Sequence, residues 1–167
     1  MKKLITLIAL ITVTMATAQD KPLTAWQEKW TNSEHYLLEI AEAMPANHYS
    51  FKPTEREMSF AEQLVHIANN INWLSNTYFK GEKVEKYTEV SDKEEIISLL
   101  KAAFSNARNA VKSTDEKDLS TVVDFFAGPK TKLQILNLLQ DHVTHHRGQI
   151  IVYLNLNNVA PPRYSGW

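Results

Sequence analysis

Four apolar stripes, each recurring at three- and four-residue intervals, constrain this chain more than any other feature. Trp26, Trp30, Leu37, Leu38, Ile40 and Ala41 carry the first. Leu64, Ile67, Ile71, Leu74 and Tyr78 carry the second, and Ile96, Leu99, Leu100, Ala103 and Ala107 the third. The fourth lies between Thr131 and Leu156 and includes Ile135, Leu138 and Leu139. Such a stripe lies on one face of a helix, and that face must be covered by other helices. No segment alternates convincingly with the period of a strand. The expected class is therefore all-α, a four-helix bundle. A length of 167 residues suffices for one such domain and is too short to expect two. The scarcity of glycine (4) and proline (6) also argues against a turn-rich β-sandwich.

Local signals place the helix ends. The first helix is expected over about Leu23–Ala43, stopping near Met44-Pro45 because the residue before a proline resists the α region. A polar connector, Ala46 to Met58, follows. Ser59-Phe60-Ala61-Glu62 has the form of a capping box and opens the second helix, with Gly81 as its expected C-cap. Ser91-Asp92-Lys93-Glu94 opens the third helix in the same way, and it runs to about Lys112. Residues 113–130 form a longer connection, expected to pack on the core and to include a short helix. Thr131-Lys132-Leu133-Gln134 opens the fourth, which reaches about Leu156. The tail after Pro161 cannot be helical, and its aromatic residues suggest that it docks back on the bundle.

The first residues read as an export signal. Lys2 and Lys3 precede an apolar run from Leu4 to Met15, and Ala16-Thr17-Ala18 fits the small-residue cleavage pattern. The run is short for a membrane span of ~20 residues. The expected organisation is a signal peptide over residues 1–18 and a bundle domain over 19–167. The mature chain is then periplasmic or extracellular, with no stable membrane association. Cysteine is absent, which excludes a disulfide, a thiolate nucleophile and a cysteine-based zinc site. The net charge of −1 and the lack of a basic stripe argue against a nucleic-acid partner.

The fourth stripe holds the chemistry. In Asp141-His142-Val143-Thr144-His145-His146-Arg147-Gly148-Gln149, His142 and His146 are four apart and share one helix face. At about 100° per residue, both fall within about 20° of Ile135, in the middle of the apolar stripe. Buried imidazole nitrogens need partners, and a shared metal ion satisfies two at once. A metal-free polar network that includes Gln149 accounts for the same spacing equally well. His145 falls to one side, toward a helix seam or the surface. A third ligand has to come from elsewhere. His66 lies about 100° from the main stripe of its helix, on a flank with Gln63, Asn70 and Trp73, and spacing alone favours a half-exposed histidine there. His35 and His48 are weaker candidates.

The segment His-x-x-His-His-Arg-Gly-Gln-Ile over residues 142–150 resembles the DinB/YfiT-like family. Val152-Tyr153-Leu154, the Pro161-Pro162 tail and the block Ser59–Ile67 strengthen the likeness. The resemblance implies a four-helix bundle with a non-sequential helix order. It implies a divalent metal held by His66, His142 and His146, and three neutral imidazoles suit Zn or Ni. It also implies hydrolysis, or transfer of a low-molecular-weight thiol to an electrophile. The expected function is a divalent-metal-dependent hydrolase acting on an unidentified small molecule. A thiol S-transferase and a non-catalytic metal- or ligand-binding bundle are the alternatives. No general base presents itself beside the ligands. Asp141 and Gln149 are candidates for supporting the ligands from behind. Trp73 and Tyr153 are candidates for pocket walls, with ordinary core packing the favoured reading of both. Homodimerisation is left open.

Overall fold

The computed structural model describes residues 21–167. The expected leader over residues 1–18 lies outside the described residues. Four helices account for most of the rest: α1 (Pro22–Ala43), α2 (Phe60–Phe79), α3 (Lys93–Lys112) and α4 (Lys132–Leu156).

The caps show why the helices begin where they do. At α2 the Ser59 hydroxyl accepts from the Glu62 N–H, and the Glu62 carboxylate accepts from the Ser59 N–H at 2.6 Å. Thr131 and Gln134 repeat this reciprocal pair at α4. Each pair satisfies donors that an isolated helix end leaves unpaired. At α3 the capping side chain is Asp92, which accepts from the Glu95 N–H, so the cap falls one residue after the expected Ser91. The end of α2 also differs from expectation. Lys80 itself takes the left-handed conformation (φ 60), and the Gly81 N–H donates to the Ser75 carbonyl at 2.9 Å. Gly81 is required for another reason: a Cβ there would stand 3.0 Å from the Ser75 backbone and 3.1 Å from Asn106 Oδ1.

The helices pack in a non-sequential ring. Both α1 and α2 lie against α3 and α4, so the order around the bundle is α1–α3–α2–α4, with α1 and α2 diagonal. The connections over residues 44–59, 80–92 and 113–131 are long enough to allow this order. Leu64, Ile67, Ile71 and Leu74 of α2 are fully buried. At about 1.5–3 kcal/mol for each large aliphatic side chain, that face is a principal source of stability. Trp26 stacks on Trp30 at 4.8 Å, and the Trp30 indole N–H donates to the Phe104 carbonyl, pinning α1 to α3.

Two features of the sequence reading need correction. Residues 113–131 hold a short 3-10 helix, Glu116–Ser120, and also a two-residue antiparallel pairing of β1 (Val122–Val123) with β2 (Lys130–Thr131), too short to leave an alternation signal. Leu138 is exposed rather than part of the core stripe. The buried face of α4 centres on Leu139, Val143 and Ile150. The tail does dock: Tyr164 packs edge-on against Tyr36, and Lys29 and Asn32 donate to the carbonyls of Gly166 and Trp167.

Candidate metal centre

Because α2 and α4 are neighbours in the ring, the flank of α2 that carries Gln63 and His66 faces the last helix. The structure brings His66, His142 and His146 together there. Their ring centroids are 4.4–4.8 Å apart, and one nitrogen from each lies within 4.8 Å of the other two. The Nε2 atoms of His66 and His142 face each other across 3.0 Å. Two nitrogens bound tetrahedrally to one zinc at 2.0–2.1 Å stand about 3.3 Å apart, so the observed spacing is close to what a shared ion needs. His145 is exposed and outside the cluster, although its ring is 4.9 Å from that of His146. His35 is exposed beside Glu39, and His48 lies in the first connector.

The cluster is held neutral. Burial is the main cause at His142, with the neighbouring histidines adding to it, and its pKa falls to about 3. Burial, then His66, takes His146 to about 4. His66 is also lowered, first by burial and then by the positive charge of Lys86. Neutral imidazoles offer lone pairs, which is the form a metal ion requires.

A hydrogen-bond chain assigns the tautomer of His146. The Met58 carbonyl can only accept, so the Tyr153 hydroxyl donates to it at 2.9 Å. Tyr153 Oη therefore accepts from Gln63 Nε2 at 3.4 Å. That turns Gln63 Oε1 toward His146, where the Nδ1–H donates at 2.6 Å. The proton sits on Nδ1, and the lone pair on Nε2 is free. Gln63 is fully buried, so this orientation is enforced. Among the described residues no hydrogen-bond partner reaches His142 Nδ1, and that ring's other nitrogen meets only another imidazole. A cluster of neutral nitrogens with one orphaned atom and one fixed tautomer fits a divalent transition metal.

The other candidates from sequence divide. Trp73 is 43% exposed and walls a pocket, against the core-packing reading. Tyr153 is buried and acts through Gln63 rather than as a pocket wall. Gln149 is half-buried beside His146, and its Oε1 finds no hydrogen-bond partner among the described residues. Asp141 does not support a ligand; it is exposed and lines a groove beside Pro22 and Trp26 of α1, because one residue of advance turns it away from His142. The residue that sequence reasoning missed is Gln63. Its signal was the i, i+3 spacing to His66 on the same flank.

A pocket of about 540 Å³ opens at His66, between α2 and the segment 80–92. Asn70, Asn72, Trp73, Lys83 and Lys86 are among its walls. None of the described helices is long and apolar enough to cross a membrane.

Comparison with known proteins gives the chain's family and fold. A family model, the DinB family, matches residues 15–165. The chain is 27% identical over 120 residues to the uncharacterized protein YjoA of Bacillus subtilis strain 168, spanning 70% of this chain and 78% of that one. The crystal structure of YjoA, described as DinB-like, superposes with a TM-score of 0.71 at 24% identity, covering 84% of this chain and 97% of that chain. A DinB-like protein from Bacillus cereus ATCC 10987 gives 0.71 at 22% identity, covering 83% and 94%. These structural likenesses are of fold.

Proposed function

The chain belongs to the DinB family, and from that premise we propose that it is a divalent-metal-dependent hydrolase acting on a small molecule. The observation that carries the reading is the donor set. Three neutral imidazoles converge, no fourth histidine or carboxylate joins them among the described residues, and one of the three, His66, lines a pocket. Three protein ligands with a position left over is the pattern of a catalytic rather than a structural zinc site. His66, His142 and His146 would hold the ion, zinc or nickel.

Bound there, such an ion supplies Lewis-acid chemistry, polarising an electrophilic substrate and easing loss of a proton from water at neutral pH. The chain's own groups do the rest. Gln63 and Tyr153 keep the proton on His146 Nδ1 and so keep Nε2 directed at the cluster. Burial prevents the three rings from protonating at neutral pH and losing their lone pairs. The pocket beside His66 admits the substrate.

One observation favours a second reading, thiol transfer. No carboxylate joins the cluster as a general base. A thiol, with a pKa near 8.5, needs far less help to ionise than water does. Export, expected from the leader-like N-terminus, would favour hydrolysis instead, since small thiol cofactors are scarce outside the cytoplasm.

The test begins with elemental analysis of protein purified without a histidine tag. One equivalent of zinc or nickel is expected. Turnover of a panel of small esters and amides should then stop on chelation and return with the metal. A metal-loaded protein that transfers a thiol to an alkylating electrophile but hydrolyses nothing would establish the second reading. A protein that takes up no metal refutes both.

A further inference from the structure

The pocket beside His66 is built for more than access. Its roof, the segment 80–92, has almost no regular structure, yet asparagines of the helices pin it at three places. Asn69 donates to the Tyr87 carbonyl at 3.0 Å and accepts from the Tyr87 N–H at 2.9 Å. Asn106 grips Glu82 in the same two-way manner, and Asn76 donates to the Gly81 carbonyl. Loops held through their own backbone groups are preorganised.

The pinned roof sorts its charges. Lys83 and Lys86 line the pocket, whereas Glu82, Glu85 and every other carboxylate of the described residues stay out of its walls. Glu82 lines a separate groove near Lys80, and Glu85 meets Lys83 only at 4.0 Å, with both side chains in solvent.

One of the pocket's walls, Asn72, carries an unsatisfied donor. The two-way grip on Glu82 fixes the Asn106 amide, which donates to Asn72 Oδ1 at 3.2 Å. Asn72 is thereby oriented, with its Nδ2 turned away from that bond. Asn72 is 5% exposed, and this NH₂ group has no hydrogen-bond partner among the described residues. A buried amide donor without an acceptor is costly unless a ligand supplies one. The Trp73 ring adds an apolar wall, and its contacts with Phe125 and Phe126 hold it in place.

From this juxtaposition we infer that the pocket binds a small organic oxyanion, a carboxylate or phosphate ester. Its charge lies against Lys83 and Lys86, an oxygen takes the Asn72 NH₂, and its flat apolar body lies on Trp73. This names the substrate class of the proposed enzyme and rests on that reading only for the claim that the bound molecule reacts.

The test uses three probes of similar shape: naphthalene-2-carboxylate, 2-naphthyl phosphate and the uncharged naphthalene-2-carboxamide. Binding is measured calorimetrically to the full chain, both zinc-treated and chelator-treated. The chelated form removes direct ligation of the probe by metal. The anions should bind at least tenfold more tightly than the amide in both forms, and added salt should narrow the gap. The double variant Lys83→Gln/Lys86→Gln, with unchanged circular dichroism, should close it. Trp73→Ala should weaken all three probes by a similar factor. The carboxylate and the phosphate compared with each other show which oxyanion the lysines prefer. Equal binding of amide and anions, or a gap that survives the double variant, overturns the proposal even if zinc binds stoichiometrically. A gap present in a protein that takes up no metal keeps the proposal and removes the metal reading.

Discussion

His146 and Arg147 are consecutive on α4, both nearly buried (7% and 4% exposed), and they face different surroundings. His146 turns toward α2, is neutral, and presents a lone pair beside two further imidazoles. Arg147 turns toward α1 and the tail. Its guanidinium stacks on Tyr36 at 5.2 Å and Tyr164 at 5.9 Å, and Gly166 closes on it so tightly that a Cβ would sit 2.6 Å from Nη1. Burial draws its pKa down while the two tyrosines oppose that, and a guanidinium stays charged in either case. The difference separates two uses of buried polarity. The arginine brings its own charge into a sealed aromatic cage that ties down the tail. The histidines bring acceptors without charge into a cluster whose His66 lines an open pocket.

The sharpest way to break that contrast is to remove acceptors. His66→Ala, His142→Ala and His146→Ala should each abolish tight metal binding, while His145→Ala leaves one equivalent bound, as read by elemental analysis after dialysis. Equal loss from all four would show that the cluster face is wrongly assigned. Next in size is the support behind the ligand. Gln63→Leu frees the tautomer of His146 and should lower metal affinity by about 10–100-fold in competition with a chromogenic chelator. Unchanged affinity would reduce the Gln63–Tyr153 chain to packing.

The cage should answer in stability alone. Arg147→Ala removes two desolvated cation–π contacts and should cost about 2 kcal/mol in urea unfolding, with metal stoichiometry still at one. Loss of metal as well would mean that the two regions are one. A separate readout is the pH response of metal-free protein. The folded pKa values of His142 and His146, about 3 and 4, lie below the free value of 6.5, so the native state holds fewer protons than the unfolded state. Their contribution to stability is complete above about pH 7 and declines as pH falls through 6.5 toward 4 and then 3. Partial solvent exposure of the His142 ring softens its share of the decline. Chemical denaturation between pH 7.5 and 4.5 should show this slope in wild type and Arg147→Ala, and a flatter one in His142→Leu.

Some of this was legible beforehand in particular residues. Ser59–Glu62 and Thr131–Gln134 announced two helix starts because capping is a local hydrogen-bond pattern. The i, i+4 spacing of His142 and His146 put both on one face for the same local reason. His66 was the hard case. Measured against the Leu64–Leu74 stripe it looked peripheral, since that stripe marks the centre of the core and not the seam with α4. Only the resemblance of the motifs pointed to it. Gln63 and the Asn72 donor were illegible as partners, because each depends on a residue 83 or 34 positions away.

Helical periodicity, chain stops and the choice of histidine as the polar guest of the last stripe were written in the amino acids themselves, since backbone hydrogen bonding and side-chain spacing act within a few residues. Which helices became neighbours was decided in three dimensions. The ring order α1–α3–α2–α4 sets α2 beside α4. That adjacency makes one cluster of His66, His142 and His146, because burying four faces together is a property of the whole packed chain and of no single stretch of it.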